Sequence, residues 1–137
     1  MTLYAATDGA SRGNPGESGV GVVVWNEAGE QLLRIAGYLG VATNNMAEYS
    51  ALVVLLQRMQ GVACTRLVVQ SDSELLVRQV NGVYRVKDPH LKRKFEEVQR
   101  LRAAAPFILE LNYVPREQNA EADSLANRGI DEKTSLY

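Results

Sequence analysis

The sequence predicts an α/β fold built on a mixed, five-stranded sheet, and three observations predict it. Residues 3–38 carry three strand-patterned segments joined by tight, glycine-containing connections, the pattern of an antiparallel meander. Two later strand-patterned segments are separated by stretches of helical spacing, the pattern of strands reached by crossovers. The length, 137 residues without internal repeat, low-complexity tract or linker, fits one domain with its own core. The order is βββαβααβα, a sheet covered by helices.

The elements come in this sequence. Leu3 to Thr7 reads as the first strand, ending at Asp8-Gly9. The segment Gly9 to Gly16 is turn-rich, with glycines that let backbone approach backbone or a ligand. Gly19 to Trp25 and Gln31 to Tyr38 are the second and third strands, with Asn26-Glu27-Ala28-Gly29 as the hairpin between them. Met46 to Met59 has the 3.6-residue apolar spacing of a helix, its wet side marked by Ser50, Gln57 and Arg58, and Gly61 is a fitting C-cap. Arg66 to Gln70 is a short strand of the buried, Val-rich type. Ser71-Asp72-Ser73-Glu74 opens a helix to about Asn81-Gly82, and Pro89 starts another that reaches Ala104. After Pro106, Phe107 to Val114 is the fifth strand. Asn119 caps a last helix through Asn127, which Gly129 stops, and the chain ends in a polar, loose tail from Asp131.

Composition narrows the function classes. A single cysteine, Cys64, excludes an intrachain disulfide and a cysteine zinc site, which fits a reducing cytoplasm. The longest strongly apolar run, Ala51 to Leu56, falls far short of the roughly 20 residues of a membrane span, and the N-terminus lacks the pattern of a signal peptide. The expectation is a cytoplasmic monomer with no membrane partner. Fifteen basic against sixteen acidic residues argue against indiscriminate binding to polyanions. From Arg85 to Arg102, however, seven bases face three acids, either a footprint for nucleic acid or a solvated helix face.

Four acids stand in awkward places. Glu48 shares the buried stripe of its helix with Ala51, Leu52 and Leu55, where a carboxylate is costly unless compensated; the plain alternative is an acid favoured by the helix N-terminus. Asp8 and Asp72 end the first and fourth strands, so that adjacent parallel strands would bring both to one sheet edge, where ligands gather in open α/β sheets. Each also has a plain reading, as turn former and as helix cap. Asp123 lies inside the last helix between Ala120 and Ala126, small residues that would let the helix sit close to the sheet. Four carboxylates on one cavity could not all stay ionised unless cations bound there. An all-oxygen donor set selects magnesium or manganese over zinc, and two such ions about 4 Å apart suit in-line displacement at phosphorus. Competing motifs fail. The run Gly19 to Val24 lacks the third glycine of a dinucleotide fingerprint, and His90, the only histidine, reads as a surface helix start rather than part of a triad.

Four blocks then carry a family likeness. Thr7-Asp8-Gly9-Ala10-Ser11-Arg12-Gly13-Asn14-Pro15-Gly16, Thr43-Asn44-Asn45-Met46-Ala47-Glu48, Ser71-Asp72-Ser73 and Asn119-Ala120-Glu121-Ala122-Asp123-Ser124-Leu125-Ala126 resemble the signatures of type 1 ribonuclease H, in order and spacing, over residues 2 to about 129. The resemblance implies sheet order 3-2-1-4-5 with helices on both faces, a catalytic domain over residues 1–130, and a tail over 131–137. It implies hydrolysis of the RNA strand of RNA/DNA hybrids by a two-metal mechanism, leaving 3′-hydroxyl and 5′-phosphate ends. Asp8, Glu48, Asp72 and Asp123 match the family's catalytic, metal-binding acids, for two magnesium ions or manganese in their place. The likeness assigns Gly9, Ala10, Ser11, Arg12, Gly13 and Asn14, with Asn44 and Asn45, to reading RNA 2′-hydroxyls in the minor groove. Thr43 matches a residue that grips a phosphate of the DNA strand.

The chain departs from the family pattern in three ways. The loop Val114 to Asn119 lacks the histidine many members carry, which resembles a histidine-lacking branch and leaves Arg116 or Glu117 as the substitute. The basic helix used as a substrate handle is missing, so that grip rests on Arg85, Lys87, Lys92 and Arg93, with weaker affinity and steep salt dependence. Glu74 stands where a glutamine often contacts the minor groove. Two alternatives stay open: the same fold and metals acting also on double-stranded RNA, or a hybrid-binding module without turnover.

Overall fold

The computed structural model describes residues 1–136; Tyr137, the end of the expected tail, lies outside the described residues. Its strands are β1 (Thr2–Gly13), β2 (Gly16–Trp25), β3 (Gln31–Ala42), β4 (Arg66–Ser71) and β5 (Ile108–Tyr113). The helices are α1 (Asn44–Met59), α2 (Glu74–Val80), α3 (Pro89–Ala104) and α4 (Ala120–Glu132), with a 3-10 turn at Arg116–Gln118. The sheet order is β3-β2-β1-β4-β5. The first three strands are antiparallel, whereas β1, β4 and β5 run parallel, so Thr7 and Ser71 lie side by side at one edge.

Alternation along β1 divides the molecule. Leu3 and Ala5 join Val20, Val22 and Val24 in a core shared with α1, α2 and α3, including Leu52, Leu55, Leu76, Val98 and Leu101. Their neighbours in sequence face α4, which lies on the other side. Glycines make that approach possible. A Cβ on Gly21 would stand 2.0 Å from the Ala122 carbonyl oxygen, and one on Gly129 would stand 2.3 Å from that of Gly37. The small face of α4 is therefore Ala122, Ala126 and Gly129, all buried, while the expected Ala120 is exposed.

Several boundaries differ from those the sequence predicts. The turn-rich segment after Asp8 is strand as far as Gly13, paired with β2 through Gly13↔Gly16, because both strands continue their ladder and only Asn14-Pro15 turns. Ser50 is buried rather than wet, on a helix that packs against α3 as well as the sheet. Gly129 does not stop α4; it continues to Glu132 and ends at Lys133 in the left-handed conformation. The segment beyond α4 is docked rather than loose. Thr134 accepts a hydrogen bond from Tyr38 N at 2.6 Å, and Leu136 packs against Gly37.

Candidate active site

The parallel pairing of β1 with β4 carries Asp8 and Asp72 just beyond the last paired residues, Thr7 and Ser71. Glu48 reaches them from the second turn of α1. Gly9 admits it, for a Cβ there would lie 2.2 Å from the Ala47 carbonyl carbon, and Gly9 N–H donates to Glu48 Oε1 at 2.8 Å. The helix reading of Asp72 as a cap gives way: Ser73 caps α2 by accepting from Leu76 N, and Ser71 Oγ accepts from Ser73 N, leaving the Asp72 carboxylate free to face the cavity.

One carboxylate oxygen from each of Asp8, Glu48 and Asp72 lies within 4.8 Å of the others. They line a cavity of about 410 Å³ together with Gly9, Ala10, Ser11, Asn44, Arg116, Asp123 and Asn127. Asp123 is thus in the same cavity, although not in the tight trio. Its helix is held there by Asn119, whose side chain does not cap α4 as the sequence suggests. Instead Asn119 Nδ2 donates to the Thr7 carbonyl at 2.9 Å, a buried bond that ties the start of α4 to the end of β1.

The electrostatics reflect this crowding. Burial pushes Asp8 up to about 10, with the charges of Glu48 and Asp72 and a hydrogen bond with Asp123 adding to the shift. Burial likewise raises Glu48 to about 8 against the opposing pull of the Gly9 N–H. Asp72 is raised by burial, while its hydrogen bond with Asp8 and the charge of Arg116 pull it back. Among the described residues, none of the four acids has an ion-pair partner. Hard oxygen donors, excess negative charge and burial without a counter-ion are the chemistry a divalent cation fits.

The other sequence-predicted residues are distributed around this cavity. Arg116 lines it and Glu117 does not. Arg12 reaches back to α4, pairing with Asp131 at 2.6 Å and donating to Asn127 at 3.4 Å. Asn14, Thr43 and Asn45 line a second cavity of about 430 Å³, on the other side of the α1 start, while Gly13 lines neither. Glu74 is paired with Arg78 at 2.9 Å on the outer side of α2, and Arg85 and Lys87 stand exposed in the loop before α3. Two residues escaped sequence reasoning. Asn127, whose Nδ2 donates to the Asp123 carbonyl at 3.0 Å, was findable one turn after Asp123; Asn119 had the signal of a cap and a different role.

Comparison with known proteins agrees with the fold. A family model described as reverse transcriptase-like matches residues 6–129. A bifunctional protein of Mycobacterium tuberculosis is 39% identical over 134 residues, covering 96% of this chain, which spans only 36% of that relative's length. The crystal structure of RNase H1 from the halophilic archaeon Halobacterium salinarum superposes with a TM-score of 0.90 at 35% identity, over 96% of this chain and 99% of that one. LC11-RNase H1, solved in complex with RNA/DNA hybrid, gives a TM-score of 0.87 at 41% identity, over 96% and 98% of the two chains.

Proposed function

The chain belongs to the type 1 ribonuclease H family, and on that premise we propose that it hydrolyses the RNA strand of RNA/DNA hybrids, leaving 3′-hydroxyl and 5′-phosphate ends. The observation that carries the reading is the trio of carboxylate oxygens from Asp8, Glu48 and Asp72 within 4.8 Å of one another, in a cavity that Asp123 also lines. The hybrid bound to a relative 41% identical supports the substrate.

Asp8, Glu48, Asp72 and Asp123 would hold two magnesium ions, with manganese as a substitute. Bound there, such ions supply activation of a water nucleophile and stabilisation of charge on the leaving oxygen. The remaining residues bind and orient. Asn44 and the β1 backbone beyond Gly9 border the cavity and face the 2′-hydroxyls that distinguish RNA, a readout indifferent to base sequence. Thr43, across the start of α1, faces the strand that is not cut; Asn45, which the resemblance assigned with Asn44 to the RNA, borders the cavity of Thr43 instead of the catalytic one. Arg116 takes the place of the absent loop histidine, because it lines the cavity and its charge acts on Asp72. Arg85, Lys87, Lys92 and Arg93 supply the salt-sensitive grip. No helix among the described residues is long and apolar enough to cross a membrane, and we place the enzyme in the cytoplasm as a monomer.

Cleavage of an end-labelled hybrid in magnesium tests the reading. Wild-type protein is expected to cut the hybrid, and Asp8→Asn and Asp72→Asn to lose activity by about 10³-fold, the scale of removing one preorganised charged contact at a reacting centre. Equal cutting of double-stranded RNA would widen the substrate. Cutting of single-stranded RNA but not of hybrid would overturn it, and hybrid binding without turnover would leave a binding module.

A further inference from the structure

The arm formed by the end of β1 and the start of β2 is bound to α4 by contacts outside both the core and the acid cluster. Alternation along β1 puts Asp8, Ala10 and Arg12 on the side of the sheet that α4 covers. Arg12 spends its guanidinium on that helix. Its Nη1 pairs with Asp131 at 2.6 Å, and its Nη2 donates to the carbonyl and to Oδ1 of Asn127, each at 3.4 Å. Directly across the ladder from Arg12, Glu17 pairs with Lys133 at 3.3 Å and accepts from the Tyr38 hydroxyl at 3.2 Å. Both ion pairs are exposed, and such pairs contribute little to stability. Their consequence is geometric.

An arginine near the cavity of a nuclease has an obvious reading, a grip on a phosphate. Position argues against it here. Arg12 lines neither the catalytic cavity nor the one that Thr43 lines, and both its terminal nitrogens are turned to α4. What it reaches is Asn127, which does line the catalytic cavity. Asn127 Nδ2 donates to the Asp123 carbonyl at 3.0 Å and to Asp123 Oδ1 at 3.4 Å. Three side chains thus run in a line from the arm to the acid. We propose that Arg12 is a positioning residue: it holds Asn127, which in turn aims the Asp123 carboxylate into the cavity. This rests on the hybrid-cleaving reading above and deepens it. The strand whose backbone borders the RNA and the helix that carries the fourth acid are thereby set at one spacing.

The test is a mutant cycle of Arg12→Ala, Asn127→Ala and the two together, with kcat and KM measured on hybrid. Arg12→Ala removes an exposed side chain and leaves the Glu17–Lys133 pair, so it is expected to fold with the urea midpoint of the wild type. Its kcat is expected to fall about 5- to 10-fold with KM unchanged, a fraction of the roughly 100-fold that a misplacement of about 1 Å costs. Asn127→Ala is expected to lose at least as much, and the double variant no more than Asn127→Ala, because both act through one contact. Hybrid affinity and its salt slope, from fluorescence anisotropy in EDTA, are expected to match the wild type in Arg12→Ala. An unaltered kcat in Arg12→Ala, or losses that multiply in the double variant, would overturn the assignment. So would a loss in KM with a salt slope shallower by about one, the mark of a phosphate contact. Failure of the wild type to cut hybrid at all would strike the proposed function instead. The crystal structure of Arg12→Ala would then decide Arg12: an Asn127 amide drawn off Asp123 is expected, and an unmoved one would overturn its role.

Discussion

Asp8 is where burial and like charge press hardest, and its titration has a consequence for stability. Its ordinary value of 3.8 rises to about 10 in the fold, and Glu48 moves from 4.5 to about 8. Without metal, the folded protein therefore keeps protons that the unfolded chain releases above about pH 4. The contribution of these two groups to stability is greatest below that point and falls as pH climbs towards the folded values, with a slope of up to about 1.4 kcal/mol per pH unit for each such group. Thermal melts in chelator should show the wild type losing stability between pH 5 and 9. Asp8→Asn, which cannot ionise, should show a shallower loss and melt higher at pH 8; equal slopes would mean that Asp8 is not held protonated. Asp72 illustrates why a single residue is hard to read from sequence. Between two serines at a helix start it looks like a cap, and only the structure shows Ser73 taking that role and releasing the carboxylate to the cavity.

At the scale of elements, the site depends on how closely α4 lies on β2. The glycines at 19 and 21 looked in the sequence like a failed nucleotide-binding motif; their reason is contact, since Cβ atoms there would meet the Ala126 and Ala122 carbonyl oxygens at 2.3 and 2.0 Å. Gly21→Ala must push α4 outward and Asp123 with it. The expected cost is about 3 kcal/mol or more in urea unfolding, together with loss of hybrid cleavage, because backbone cannot yield as a flexible side chain would. A midpoint unchanged from wild type would refute that packing. The inward turn of Asp123 was legible from its small neighbours, although the buried ones are Ala122 and Ala126 rather than Ala120. The extension of β1 and β2 to Gly13 and Gly16 was not, because glycine, serine and asparagine signal turns locally and only pairing with the partner strand makes them a ladder. The same holds for α4, where Gly129 reads as a stop but is needed for contact with Gly37.

Across the whole molecule, the alternation of β1 separates a core under three helices from a thin interface under one, and the acids collect where both faces meet the sheet edge. Strand periodicity, the crossover pattern and four motif blocks carried that arrangement in the sequence. The docked segment after α4 was illegible because its hold is tertiary: Lys133 pairs with Glu17 at 3.3 Å and Thr134 bonds to the edge of β3, contacts no local pattern foretells. The central claim is that folding assembles Asp8, Glu48 and Asp72 into a seat for divalent cations. Its most direct test is anomalous diffraction from a crystal soaked in manganese at neutral pH. A strong peak is expected among these three carboxylates and is expected to disappear in Asp8→Asn; a clean map there, with the three side chains ordered and the ion bound elsewhere on the protein, would contradict such a seat.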